Sequence, residues 1–357
     1  MKHLELFAGI GGFRCGIEFA LSDIGQPSEC VGFSEIDNKA SMVYTNYFGA
    51  GSLEMGDIVQ FCNDPSNIAS LPNFDLLTGG FPCQPFSLMG KKLGFDDERG
   101  TMFFYILKIL TIKRPKYILL ENVKNLHAHS NGNTFRRIFE ELTSLGYDVQ
   151  YDIFNSSDFG LAQTRNRVYI LGTLIDEAHH FDFNAELVKE HFSGLVCNKK
   201  LQLQNSVCDV LDKSADEKFF LSEKIKPTIL SNGSGGFMSN STINLEIARP
   251  LTASMHKMHR ACQDNYYSEN FIKSGGALHD EKGLDKAELC QLNIRRLTPS
   301  EAYSLQGFPQ DFIEKTLALR ISNGSMYKQA GNAVSVNVVY AIMSFLLSRI
   351  YDDHGNN

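Results

Sequence analysis

One thiol sits where the chain is stiffest. In Gly79-Gly80-Phe81-Pro82-Cys83-Gln84-Pro85-Phe86-Ser87, two prolines fix φ on either side of Cys83. The paired glycines let the backbone approach another group closely. A thiolate is a strong nucleophile and a metal ligand. The eight cysteines (15, 30, 62, 83, 197, 208, 262, 290) form no Cys-x-x-Cys pair, so no zinc ribbon or dithiol motif is supported and no metal is expected. Free cysteines are most often small buried hydrophobes, and Cys83 on its own favours that inert reading. Three carboxylates occupy comparable places. Glu35 follows Cys30-Val31-Gly32-Phe33-Ser34, Asp57 follows Gly56, and Glu121 follows Lys116-Tyr117-Ile118-Leu119-Leu120. The stretch Gln163-Thr164-Arg165-Asn166-Arg167 alternates so that Gln163, Arg165 and Arg167 would share one face of a strand.

These side chains need strands to present them. His3 to Phe7 reads as a strand, Ala8-Gly9-Ile10-Gly11-Gly12 as a turn, and Phe13, Ile17 and Phe19 to Leu21 as a helix closed by Gly25. Such a turn brings N–H groups and a helix N-terminus to a ligand. It is neither the phosphate-loop pattern, since no Gly-Lys-Ser/Thr follows, nor the full dinucleotide fingerprint. An acid ending the second strand suits ribose hydroxyls, which is the place of Glu35. Asp57 is either a carboxylate for an adenine or amino group, or a turn residue beside Gly56. Phe74 to Leu77 is a short buried strand leading into the Cys83 loop. Thr101 caps a helix that is apolar on nearly every face from Phe103 to Leu110. Asn133-Thr134 caps a helix carrying Phe135, Ile138, Phe139, Leu142 and Leu145 up to Gly146. Tyr147 to Phe154 and Val168 to Leu171 are further strands. The alternation predicts an α/β fold with a mostly parallel sheet, in which ligands bind at the carboxyl ends of strands. Glu35, Asp57, Cys83 and Glu121 all fall at such ends, and this convergence outweighs any one of them.

The 357 residues exceed what one core encloses, so two lobes are expected. From Thr173 to Asn293 the strand–helix alternation fades and Asn, Ser and Gly become frequent. Residues 1–172, completed by 310–357 returning from the C-terminus, read as the catalytic and cofactor-binding domain; 173–309 read as a smaller, loop- and strand-rich domain. Thr298, Pro299 and Glu301 spell a capping box for a helix closing near Gly307, and Gln329 to Ser335 leads into an apolar helix through Leu347. Hydrophobic content of 43% and charged content of 21% describe a folded protein and exclude a disordered one. The net charge of −7 gives no whole-molecule argument for nucleic acid. Local basic segments, His256 to Arg260 and Arg295-Arg296, are candidates, although such clusters are usually solvated faces. The N-terminus is too short and mixed for a signal peptide, and no apolar run reaches a membrane span, so a cytoplasmic protein without membrane contact is expected.

Taken in order, ELFAGIGG, GFPCQPFS, ENV, QTRNR, RRLTPSEAYSLQGFP and YKQAGNAVSVNV resemble the motifs of the cytosine-5 DNA methyltransferase family. Only Thr173 to Asn293 is unmatched, where this family keeps its target-recognition region. There are small departures: Glu5 stands where the family usually has Asp, Ile36 where an aromatic is common, and Asn125 where Gly is frequent. The resemblance implies a Rossmann-like domain using S-adenosyl-L-methionine. Phe7, Gly9, Ile10, Gly11 and Gly12 would line the donor's path, Glu35 its ribose, and Ile36, Asp57 and Ile58 its adenine. Gly80, Pro82 and Met102 would lie beside it, and Asn332 and Val334 would return to the same pocket, docking the last helix beside the first strand.

The resemblance also implies a mechanism and a substrate. Carbon 5 of cytosine is a poor nucleophile until a thiolate, Cys83, adds to carbon 6. Protonated Glu121 would hydrogen-bond ring nitrogen 3, which needs a raised pKa; Arg165 would hold the ring carbonyl oxygen, and Arg167 the loop or a phosphate. The base must leave the duplex. Gln84, Ser87 and residues 88–100 would close over it, with Gln163, Arg249, Thr252, Lys257 and Arg260 contributing to double-stranded DNA contacts. The tRNA-methylating branch shares this chemistry, but its Cys-Phe-Thr tripeptide is absent and its loop commonly begins Pro-Pro-Cys. Exocyclic-amine methyltransferases place Asn/Asp-Pro-Pro-aromatic where Phe-Pro-Cys-Gln stands here. A catalytically dead DNA-binding member is opposed by intact Cys83, Glu121 and Arg165. Without extra regulatory domains, the expectation is a monomeric bacterial modification enzyme whose cognate restriction endonuclease acts separately.

Overall fold

The computed structural model describes all residues except 83–101, 127–128, 177–180, 232, 235–236, 239–240, 258, 278–280, 282 and 353–357. The Thr101 cap, the closing segment 88–100 and Met258 therefore lie outside the described residues. The chain divides into two compact units. The first comprises 1–155, 166–200 and 334–357, and the second 156–165 and 201–333. The seams at 200/201 and 333/334 fall later than the expected 172/173 and 309/310.

The first unit is an α/β domain. In chain order it runs β1 (Lys2–Leu6), α1 (Gly12–Asp23), β2 (Glu29–Ser34), α2 (Asn38–Phe48), β3 (Leu53–Glu54), α3 (Ile58–Phe61), α4 (Pro65–Ser70), β4 (Leu76–Gly80), α5 (Met102–Lys113), β5 (Tyr117–Val123), α6 (Asn133–Ser144), β6 (Tyr147–Asn155), β7 (Asn166–Leu174) and α7 (Ala185–Ser193). The seven strands order as β3-β2-β1-β4-β5-β7-β6. The pairs among β1 to β5 are parallel, while β7 runs antiparallel between β5 and β6. Apolar runs buried on both faces make this arrangement: Leu77, Ile118, Leu119, Leu120, Val168 and Ile170 are at most 1% exposed. Each such side chain contributes about 1.5–3 kcal/mol of burial. α5 is fully buried along Ile106, Ile109 and Leu110, as its all-round apolar pattern predicts.

Two expectations about helices change. α6 starts at Asn133 with Gly132 at the cap position, φ 80°, and no capping side chain; Thr134 Oγ1 instead pairs with His129 Nδ1 at 2.7 Å. The C-terminal helix Val336–Asp352 docks on α1, where a Cβ on Gly16 would lie 2.7 Å from Val339 Cγ1 and 2.8 Å from the Tyr340 nitrogen. Only glycine permits that approach. The helical stretch Asn323–Tyr351 is long and apolar enough to cross a membrane, contrary to expectation, but 78% of its apolar window is buried inside the protein. Core packing accounts for its composition.

The second unit has short antiparallel pairs, Tyr266–Ser268 with Ile294–Arg296 and Gly233–Ser234 with Phe237–Met238. The capping box forms as read: Thr298 Oγ1 accepts from the Glu301 nitrogen and Glu301 Oε2 from the Thr298 nitrogen. Glu301 also binds Arg295 at 2.7 Å, with both side chains 2% exposed or less. Arg295 is thus an internal tie and not part of a basic face; Arg296 lies over the Tyr327 ring at 4.3 Å.

Candidate active site

The glycine turn after β1 is built from left-handed backbone. Phe7, Gly9 and Gly11 have φ of 54°, 57° and 90°, a region that costs a side chain about 1 kcal/mol or more. The Gly9 nitrogen donates to Glu35 Oε2 at 2.8 Å, and the Asp37 nitrogen donates to Glu35 Oε1 at 2.7 Å. Glu35 is thereby fixed beside the turn, at the end of β2. A Cβ on Gly9 would meet no atom within 4 Å, and Ile36 is 72% exposed. Open space, a held carboxylate and an exposed apolar side chain suit an adenosine-bearing ligand. Ile10 and Ile58 are buried at 2% and 3% exposure, so neither side chain lines that space; Gly12 begins α1. The Ile58 side chain packs into the core, and its backbone opens α3. Asp57 is the N-cap of α3, its Oδ1 accepting from the Val59 nitrogen at 2.9 Å.

At the carboxyl end of β4 and β5 a second cluster forms. Gly80 pairs in register with Glu121, and a Cβ on Gly80 would come 3.3 Å from Glu121 Oε2 and 3.7 Å from Val334 Cγ1. Glu121, 8% exposed, meets Arg167 across the sheet, with Oε1 at 2.9 Å from Nε. Asn122 Nδ2 donates to the Phe81 carbonyl at 2.8 Å. It thus holds the chain just before the exposed Pro82. That tie was not read from the sequence, although an asparagine inside a strand is a usable signal, being depleted there. Met102, half-buried, opens α5. Cys83, Gln84 and Ser87 lie outside the described residues.

The arginine strand differs from expectation. β7 begins at Asn166, so Gln163 and Arg165 precede it and belong to the second unit. Gln163, expected at DNA, is 0% exposed; its amide donates to the Leu305 carbonyl and accepts from the Leu251 nitrogen, both at 2.9 Å. Arg165, 3% exposed, donates to the carbonyls of Leu251, Gly331 and Ala333 at 2.9–3.1 Å. It braces backbone, and the arginine that meets Glu121 is Arg167. A Cβ on Gly331 would lie 2.2 Å from the Ala253 nitrogen, so the same place is closely packed. Arg260 also has internal partners, Asp264 at 2.7 Å and Thr252 Oγ1 at 2.5 Å, and both it and Thr252 are half-buried. Arg249 is half-buried, with its backbone nitrogen bound to Asn265 Oδ1 at 2.8 Å. Lys257 and Asn332 are exposed.

Comparison with known proteins matches this arrangement to one family. The model of the C-5 cytosine-specific DNA methylase family matches residues 1–348. The chain is 36% identical over 350 residues to Type II methyltransferase M1.ScrFI of Lactococcus lactis subsp. cremoris, covering 97% of this chain and 78% of that protein. It is 35% identical over 354 residues to Type II methyltransferase M.NlaX of Neisseria lactamica, covering 98% of each. Among solved structures, Entamoeba histolytica methyltransferase EhMeth superposes with a TM-score of 0.70 at 20% identity, covering 99% of this chain and 98% of that one. A Spodoptera frugiperda DNMT2 mutant gives 0.69 at 24%, covering 98% and 99%. At these identities the structures speak for the fold alone, and the family match speaks for the chemistry. With a mostly parallel sheet presenting Glu121 and Arg167 beside Gly80, the chain belongs to the C-5 cytosine-specific DNA methylase family and is a DNA (cytosine-5-)-methyltransferase.

Proposed function

We propose that the protein methylates carbon 5 of a flipped cytosine in a specific duplex sequence, taking the methyl group from S-adenosyl-L-methionine, as the modification enzyme of a restriction system. The observation that carries the mechanism is the Glu121–Arg167 pair at 2.9 Å, next in register to the glycine that leads into the Cys83 loop. S-adenosyl-L-methionine, when bound, supplies an electrophilic methyl group. The glycine turn and Glu35 bind its adenosine end, Glu35 through the ribose hydroxyls. The Cys83 thiolate forms a bond to carbon 6, leaving the ring an enamine with its nucleophilic carbon at position 5. Glu121 donates a hydrogen bond at ring nitrogen 3, and Arg167, oriented by Glu121, holds the ring carbonyl oxygen, the part first given to Arg165. After carbon 5 takes the methyl group its proton passes to water, the electron pair left behind restores the 5,6 double bond, and the carbon–sulfur bond breaks to return the thiolate. Val334 flanks Gly80 from the C-terminal segment, and Pro82 and Met102 border the same loop.

In this reading the second unit reads the DNA, with exposed Lys257 and half-buried Arg249 toward base edges or phosphates, and Gln84 and Ser87 closing over the flipped base. The enzyme acts as a monomer in a bacterial cytoplasm, where a separate endonuclease cuts unmodified sites. Relatives that are named Type II methyltransferases support that setting. The test is methyl transfer from labelled donor to duplex DNA and to tRNA, with wild type and Cys83→Ala, followed by sequencing of methylated sites in expressing cells. Transfer to duplex DNA at one sequence, lost in Cys83→Ala, is expected. Transfer to tRNA alone, or an unaltered rate in Cys83→Ala, overturns the reading. Exchanging residues 201–333 for a relative's should move the methylated sequence, and unchanged specificity would remove the second unit from recognition.

A further inference from the structure

The underside of the glycine turn rests on two aromatic rings of α2. A Cβ on Gly11 would lie 2.3 Å from Phe48 Cε2 and 3.0 Å from Tyr44 Cδ2, so the turn sits directly on both rings. Tyr44 stacks on Phe33 with centroids 4.0 Å apart and meets Phe48 at 4.8 Å. Phe33 lies on β2, two residues before the Glu35 that takes the Gly9 nitrogen. Arg14, from the first turn of α1, brings its guanidinium carbon 4.4 Å over the Phe48 ring and donates to Ser52 Oγ at 3.1 Å. The Tyr44 hydroxyl donates to Glu5 Oε2 on β1 at 3.0 Å and accepts from Arg14 Nη1 at 3.4 Å. Strand β1, helix α1, strand β2 and helix α2 thus meet at this ring pair, and the turn they share is the one with three left-handed residues.

We propose that Phe48 and Tyr44 are positioning residues for the methyl donor: by supporting Gly11 from below they hold the 9–12 turn in the conformation that receives it. Tyr44 is 0% exposed and acts only through the turn. The left-handed turn has no regular ladder of its own, and packing against a rigid ring pair replaces what such a ladder provides. This proposal rests on the donor-site assignment made above.

Equilibrium binding of S-adenosyl-L-methionine by calorimetry, with KM and kcat measured alongside, tests it. Phe48→Ala should weaken donor binding about tenfold while kcat at saturating donor and KM for DNA stay within about twofold. Phe48→Leu, which restores most of the volume, should recover most of the affinity. Tyr44→Phe keeps the ring and removes the hydroxyl's bonds to Glu5, Arg14 and Cys30, and should weaken donor binding about threefold even if Phe48→Ala fails to fold. Val43→Ala, a buried truncation elsewhere on α2, controls for general loosening. Equal weakening by Val43→Ala and Phe48→Ala overturns the proposal. Normal binding in Phe48→Ala and Tyr44→Phe with weakened binding in Glu35→Gln overturns it while sparing the donor site; normal binding in all three overturns the donor site as well.

Discussion

Two glutamates on strands of one sheet do opposite work. Glu121 lies two residues before the end of β5 with 8% exposure and an arginine at 2.9 Å. Glu5 lies inside β1 with no exposure and a tyrosine hydroxyl as its partner. Burial pushes Glu5 up to about 8 from its usual 4.5, with the Tyr44 hydrogen bond and Arg14 opposing that rise and Glu18 adding to it. Glu5 is therefore an uncharged acid at neutral pH, fixed in the architecture, whereas Glu121 is the carboxylate proposed to meet the reacting base. Sheet register separates them: Glu5 pairs with Thr78, whereas Glu121 pairs with Gly80, two residues further toward the carboxyl ends where ligands of such sheets bind.

The largest effect that sharpens this contrast is on Glu121. Glu121→Gln should reduce methyl transfer about 10²- to 10⁴-fold with little change in melting temperature. A melting temperature that falls in step with activity would make Glu121 architectural too. For Glu5 the expected change is in stability against pH. A group whose folded pKa is raised contributes stability that is present below pH 4.5 and lost as pH rises through about 8. The wild type should lose on the order of 5 kcal/mol across that window, and Glu5→Gln should flatten the loss in urea titrations at several pH values. Tyr44, Arg14, Glu18 and Cys30 surround Glu5; burial also raises the Cys30 thiol, so it remains neutral in the window. His3, on the same strand, is pushed down to about 3 by burial, with Arg14 and the N-terminal amine adding to it. Its contribution is present above pH 6.5 and lost as pH falls through about 3, so acid destabilises through His3 where base destabilises through Glu5.

Arg165→Met should cost about 3 kcal/mol in urea unfolding, because three backbone carbonyls lose a charged donor. Arg167→Met should instead cost activity more than stability, and the reverse pattern would return the ring contact to Arg165. The smallest effect is at Asp37, which caps α2 by accepting from the Lys39 and Ala40 nitrogens. Asp37→Ala should cost about 1 kcal/mol in thermal unfolding.

Much of this was legible in local sequence. The turn at Gly9 to Gly12, the acid at the end of β2 and the Thr298–Glu301 box are short-range patterns, and each formed where its residues stand. The failures share a cause. Gln163, Arg165 and Arg167 alternate like a strand face, yet the first two are held by Leu305, Leu251, Gly331 and Ala333, partners some 80 to 170 residues away. A polar side chain with period two looks the same whether it faces DNA or backbone carbonyls. Arg295 misled in the same way, since its carboxylate partner turns part of a basic cluster into an internal tie. The support beneath Gly11 went unread because Phe48 looks like any apolar helix residue until the turn is laid against it.

The contact of Gly16 with Val339 and Tyr340 has a consequence for biosynthesis. Strands β1, β2, β4 and β5 are complete by Val123, but the helix that covers this face of α1 begins only at Val336. A nascent chain therefore exposes that face through nearly the whole of translation, and the first unit to be synthesised is the last to be sealed. Contacts of such long sequence separation slow folding and leave apolar surface open to chaperones in the interval.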